Sequence, residues 1–341
     1  MHRRSTFALL ARVTFILAFV VVVVGAYVRL SDAGLGCPDW PGCYGPLFMA
    51  DVETHSRIAA DSGLMRPYEH DKAWKEMIHR YLAGFMGLLI LALAVLAWQR
   101  RQQPGQPFII ALLLPLLVAF QAALGMWTVT LLLKPAVVLA HLLGGMTILS
   151  MLWWLVLRSQ AGAGSLPIRQ TRDSALKPWV ILALVVVFMQ IMLGGWVSTN
   201  YAALVCADFP TCRGQWWPDS MDFHDGFTFW RGLGVDYEGG VLSGDAMTAV
   251  HVMHRLGALV TLLVVGGVAV HAMIRGSKMV KFSAGLMLAA LALQIVIGIA
   301  NIYWMLPLWL AVAHNAGAAL LLMAVITLLH QTSSQPIQVR G

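Results

Sequence analysis

Charge is scarce in this sequence: only 11% of its 341 residues are Asp, Glu, Lys or Arg, against roughly a quarter in an ordinary soluble domain. So few charges cannot cover a water-facing surface, which excludes a soluble globular protein. A mean hydropathy of +0.74 makes the bilayer the natural solvent. From Phe282 to Val339 there is no charge at all. No small-residue cleavage site follows the apolar run Val20–Val24, which argues against a removed signal peptide and for a retained first span.

Eight stretches reach the ~17–25 residues that a bilayer-crossing helix needs. They are placed at Ala8–Leu30, His79–Trp98, Phe108–Val129, Pro135–Leu157, Pro178–Thr199, Met247–Ile274, Phe282–Ile302 and Leu308–His330. The last two are separated at Tyr303–Pro307, where proline removes a backbone donor. Arg3, Arg4, Arg12, Arg100, Arg101, Arg158, Arg169, Arg172, Lys177, Arg275, Lys278, Lys281 and Arg340 fall on one side, opposed only by Asp173. The positive-inside rule then puts both termini in the cytoplasm of a bacterial inner membrane. The basic pI of about 9.5 reflects this topology and implies no nucleic-acid partner. The four cysteines, Cys37, Cys43, Cys206 and Cys212, lie on the opposite, oxidising side, where two disulfides are permitted.

The chain repeats itself. Gly25 to Cys43 reads GAYVRLSDAGLGCPDWPGC and Gly194 to Cys212 reads GGWVSTNYAALVCADFPTC, with the same spacing from glycine to the final cysteine. His79-Arg80 recurs as His254-Arg255, Gln121…Gly125 as Gln294…Gly298, and Ala140-His141…Gly144 as Ala313-His314…Gly317. An even number of spans per repeat gives both copies one orientation, related by an axis along the membrane normal. The fold class expected is therefore all-α integral membrane: eight helices as two tandem, parallel four-helix bundles related by a pseudo-two-fold. The halves are residues 1–158 and 178–341, joined by a cytoplasmic linker at 159–177, and each carries one long outer loop, about 31–77 and 200–247.

An ionisable side chain within a span is costly and usually functional. His79 and His254 are read as opening their helices at the outer surface, and His141 and His314 as lying about two turns into theirs. One histidine on the second helix of each bundle and one on the fourth is an arrangement suited to axial ligation of haem iron. A lone membrane histidine more often hydrogen-bonds a neighbouring helix, but four matched ones favour ligation. Gly144, Gly145 and Gly317 leave room for a flat macrocycle or serve plain helix packing. Arg80 and Arg255 suit either haem propionates or snorkelling to the interface. His271 and His330 read as interfacial, and His2, His55, His70 and His224 as solvated.

The halves differ where Glu76 precedes His79 and His251 precedes His254, each by three residues. A carboxylate beside only one site makes the first half the reactive one, unless Glu76 merely favours a helix start. For Cys206–Cys212 a structural staple is the safer reading. Cys37–Cys43 stays open between a staple and redox exchange.

Together, Arg29-Leu-Ser-Asp-Ala-Gly-Leu-Gly-Cys37-Pro-Asp-Trp-Pro-Gly-Cys43, Glu76-Met-Ile-His79-Arg80, Ala140-His141, His251-Val-Met-His254-Arg255 and Ala313-His314-Asn resemble the haem A synthase family over essentially the whole chain. That family oxidises the C8 methyl of haem O to the formyl group of haem A, the cofactor of terminal cytochrome oxidases. The resemblance implies that His79 and His141 bracket the substrate haem, that Glu76 is the catalytic carboxylate, and that His254 and His314 ligate a haem b. It also implies haem O synthase upstream and an unidentified electron acceptor; a homo-oligomer is left open. The rival readings are a di-haem b-type electron-transfer protein or quinone oxidoreductase, a membrane thiol–disulfide oxidoreductase, and a transporter, which leaves the four histidines unexplained.

Overall fold

The computed structural model describes residues 2–49, 52, 67–103, 106–160 and 171–333. His55, Arg169 and Arg340 lie outside them, as do the side chains of His2, Arg3, Arg4 and Arg172. Among the described residues the chain is all helix and loop, without a strand. Eight long helices carry the architecture: α1 His2–Leu30, α2 His70–Gln99, α3 Phe108–Thr130, α4 Pro135–Gln160, α5 Lys177–Thr199, α6 Gly244–Arg275, α7 Lys278–Tyr303 and α8 Leu308–Thr332. All eight are long and apolar enough to cross a membrane. Their exposed faces are apolar, as at Leu88, Leu116, Leu263 and Phe282, which suits side chains that meet lipid rather than water.

Several helices begin earlier than the hydropathy pattern predicts, α2 by nine residues and α1, α7 and α6 by six, four and three. The second starts at His70, nine residues before His79, and the sixth at Gly244, ten before His254. The added turns are polar, so a search for apolar runs misses them, yet they have ordinary helix-start chemistry. Asp71 and Asp245 lie in the first turns, and Ser243 caps α6 by accepting from the Ala246 amide at 3.2 Å. His79 and His254 therefore stand well inside their helices rather than opening them. His141 and His314 lie six residues beyond Pro135 and Leu308, about two turns in, as expected.

The helices pack in two rings. In the first, α1 meets α2, α2 meets α3, α3 meets α4 and α4 meets α1; in the second, α5 to α8 repeat the circuit. Between the rings, α1 packs on α8 as α5 packs on α4, and α4 packs on α8 along the centre. One hydrophobic core joins all eight helices on the side away from the cysteine loops. It ends at Val21, Met86, Leu114, Met146, Ile191, Val265, Leu291 and Ala319, all short of the segments that carry the four histidines. On the loop side the buried apolar residues fall instead into smaller, separate clusters, such as Leu139, Trp196, Val197, Ala246 and Val250.

The connections are duplicated as faithfully as the helices. Between α3 and α4, Leu132 and Leu133 adopt φ of 51° and 58°; between α7 and α8, Met305 and Leu306 adopt 56° and 59°. Left-handed backbone costs a residue with a Cβ roughly 1–2 kcal/mol, so its recurrence at matched positions marks a turn the packing demands. The second outer loop reaches over the first ring, where the Tyr237 amide donates to Leu132 O at 3.1 Å. The fully buried Lys134 donates to Arg231 O at 2.7 Å and lies 3.3 Å from the Trp230 ring centroid. On the opposite side Asp173 accepts from the Ser277 amide at 3.0 Å, tying the connection before α5 to the start of α7.

Candidate functional site

Each of the four histidines is seated on a glycine of the preceding helix. A methyl group at Gly25 would come within 2.9 Å of Cε1 of His79, one at Gly125 within 3.3 Å of His141, one at Gly194 within 3.1 Å of His254 and one at Gly298 within 3.2 Å of His314. Only a residue without a side chain lets the ring lie this close to the neighbouring backbone. In each ring the two histidine-bearing helices are diagonal partners, each packed on the same two neighbouring helices.

The rings are partly buried, but not uniformly. Nδ1 of His79, His141 and His314 is sealed without a hydrogen-bond partner, which costs free energy. The residues retain partial exposure all the same, so the open edge of each ring is not the Nδ1 edge. These glycine-cradled imidazoles, beyond a core whose buried residues stop short of them, are the side chains that would hold a haem in each ring.

Three glutamines brace this arrangement. Gln121 Nε2 donates to the carbonyl of His141 at 2.5 Å, Gln190 to that of His254 at 3.1 Å and Gln294 to that of His314 at 2.7 Å. Gln190 Nε2 also lies 3.1 Å from Nδ1 of His254. Each glutamine lies in a notch left by a glycine three residues past the histidine, Gly144, Gly257 or Gly317, where a Cβ would overlap its Oε1. The repeat showed Gln121 and Gln294 but missed Gln190. The signal was present as Gln-x-x-x-Gly at 121–125, 190–194 and 294–298, visible once helix hairpins rather than halves are compared.

The cysteine loops close the site from one side. Cys37–Cys43 and Cys206–Cys212 are both disulfides, with Cα separations of 4.8 and 4.7 Å. Within each, an aspartate accepts two backbone amides across the turn: Asp39 from Tyr44 and Gly45, both at 2.7 Å, and Asp208 from Arg213 at 2.7 Å and Gly214 at 2.9 Å. Arg80 and Arg255 attach the loops to the helices. Arg80 donates to the carbonyls of Pro41 and Gly42, and Arg255 to those of Cys206, Asp208 and Thr211 at 2.6–2.8 Å. Nε of Arg255 remains buried and unpartnered.

Glu76 and His251 hold matched places and bond differently. The buried Glu76 carboxylate accepts from the Cys37 amide at 2.9 Å and from Arg80 at 2.5 Å. Nδ1 of His251 lies 2.8 Å from Ala202 O. The acidic group is thus fixed one turn before His79, between the disulfide and an arginine, and the second ring has no counterpart to it. Of the histidines read as peripheral, His70, His224 and His271 are exposed, and His330 packs edge-on against Trp154 at 5.3 Å.

A site repeated along the entire chain should be shared by full-length relatives. The family described as COX15-CtaA, cytochrome oxidase assembly protein, matches residues 8–326. The chain belongs to this family. A protein of Shewanella oneidensis named "Heme A synthase" is 42% identical over 329 residues, covering 95% of this chain and 97% of its own length. Proteins of the same name from Caulobacter sp. (strain K31) and Rhizorhabdus wittichii are 28% and 29% identical, covering 95% and 91% of this chain and 95% and 89% of theirs. COX15-CtaA membership accounts for a multi-pass membrane chain, and the seated histidines are where its chemistry is to be sought.

Proposed function

We infer that this protein is a haem A synthase, an oxidoreductase that converts haem O to haem A by turning the C8 methyl into a formyl group. Family membership supports the class of reaction. The observation that carries the reading to particular residues is the pair of glycine-seated histidines on diagonal helices, present once in each ring. His79 and His141 hold the substrate haem, and His254 and His314 hold a haem b. The rings are parallel four-helix units, residues 1–158 and 178–341, related by an axis along the membrane normal. Both termini are cytoplasmic and the cysteine loops lie on the outer face.

Methyl to formyl takes two successive oxidations that bring in one oxygen atom and, with water as its source, release four electrons and four protons, which must leave the substrate. Glu76 is the proton acceptor, held in place by the Cys37 amide and Arg80 and available only in the first ring. When bound, haem b supplies an electron acceptor in the adjoining ring. Arg80 and Arg255 fasten the disulfide loops over both sites and exclude water from them, and Arg255, whose Nε has no partner, would be the group to hold a haem propionate. The substrate's long apolar tail explains why the enzyme is a membrane bundle.

The decisive experiment is pigment analysis of the purified protein with and without co-expressed haem O synthase. Formyl haem should appear only with it. Glu76→Ala should retain its Soret absorption and form none, and formyl haem in that variant would remove Glu76 from the chemistry.

A further inference from the structure

The four helix hairpins share one plan, and one hairpin departs from it. In α3–α4, α5–α6 and α7–α8 a glutamine clasps the carbonyl of the histidine and lies in the glycine notch beside it. In α1–α2 the matching positions hold Val21 and Leu82, as the repeat spacing from Gln190 and Gly257 shows. Val21 is buried in the apolar core, and Leu82 packs against the same core. His79 therefore keeps the glycine seat at Gly25 but has no clasp. Both histidines of the second ring are clasped, whereas in the first ring only His141 is.

We propose that the three glutamines are positioning residues that make their histidines persistent ligands, and that the missing clasp makes His79 the yielding ligand through which the first ring exchanges its haem. This rests on the haem reading given above. A hydrogen bond from one helix to the carbonyl of a ligand on the next resists their separation at the level of the iron. A substrate site must release its product after each turnover, while a resident cofactor must stay. The asymmetry falls where this division of labour requires it: one loosened ligand in the ring that holds Glu76, and none in the other.

The test is haem transfer from the full-length, pigmented protein to excess apomyoglobin, followed by Soret absorption, together with carbon monoxide uptake by the reduced protein. Two phases of release are expected. Installing the clasp with Val21→Gln and Leu82→Gly should slow the fast phase by between about threefold and tenfold, the range expected for one interhelical hydrogen bond in a membrane. It should also reduce carbon monoxide uptake and leave the slow phase alone. Gln190→Leu should accelerate the slow phase by a similar factor. Should the double variant fail to accumulate, Gln121→Val serves instead and should hasten the fast phase. An unchanged fast phase in a fully pigmented clasp variant, or an unchanged slow phase in Gln190→Leu, overturns the proposal. Single-phase release from pigmented protein also overturns it while sparing the haem reading; a colourless wild-type protein overturns both.

Discussion

Replacing Gly25 by alanine sets two effects of opposite sign against each other. In an isolated helix the change adds about 1 kcal/mol of stability, because alanine is the better helix former. The new methyl, however, would stand 2.9 Å from Cε1 of His79, about 0.6 Å inside the ~3.5 Å at which carbons rest in contact. The ring must retreat by that amount or turn. Metal–ligand distances tolerate only about 0.2 Å, so on the proposed haem ligation the displaced imidazole would lose its fit to the iron. Gly125→Ala is the internal control, since its methyl would meet His141 at 3.3 Å and demand only about 0.2 Å. Expected, therefore, is a Gly25→Ala protein that melts no lower than wild type but has lost most of the haem of its first ring, beside a Gly125→Ala protein that keeps nearly all. The assay is haem per polypeptide by pyridine haemochrome, read against thermal unfolding in detergent. Full occupancy in both variants would mean that the glycines serve helix packing alone, and equal loss in both would show that the contact distances do not decide it.

Arg255→Ala should free the second cysteine loop, since three carbonyl acceptors lose one shared cationic donor; a cost of about 3 kcal/mol follows from charge-assisted bonds. Hydrogen exchange across residues 206–215 measures it, and unchanged protection would contradict it. Asp208 is held down to about 2, first by the Thr211 hydroxyl and then by the Gly214 and Arg213 amides. Its contribution is therefore complete above the ordinary value of 3.8 and disappears as pH falls through about 2. The Arg213 and Gly214 amides should be protected at about pH 4 and lose that protection progressively as pH falls through about 2, and undiminished protection on the acid side would refute the capping role. Lys134→Met removes a buried ammonium that holds Arg231 O and the Trp230 face. It should loosen residues 230–237 by about 2 kcal/mol, seen as a shift in tryptophan emission; an unaltered spectrum would count against it.

The apolar runs located every span, because a bilayer imposes both length and composition on a crossing helix. The polar start of α2 escaped them because Lys72, Lys75 and Glu76 lower the hydropathy while leaving helix formation intact. The matched histidines and their glycines were legible because one structural unit is written twice. Gln190 was not, since it answers to Gln121 and Gln294 across hairpins rather than across halves. Neither the laying of the second outer loop over the first ring nor the bonding of Arg80 and Arg255 to loop carbonyls has any sequence signature. Both depend on contacts between residues tens to about a hundred positions apart, such as Lys134 with Arg231.

The contact between the two rings, α1 on α8 and α5 on α4 with α4 against α8, is the kind of surface by which a half-length polypeptide would close on itself as a symmetric homodimer. Such a dimer, encoded once, must carry identical side chains at both of its centres. Joining the two copies in a single gene lifts that constraint. Only then can Val21 stand where Gln190 stands opposite, or Glu76 where His251 does, so one centre is free to become reactive while its twin stays inert.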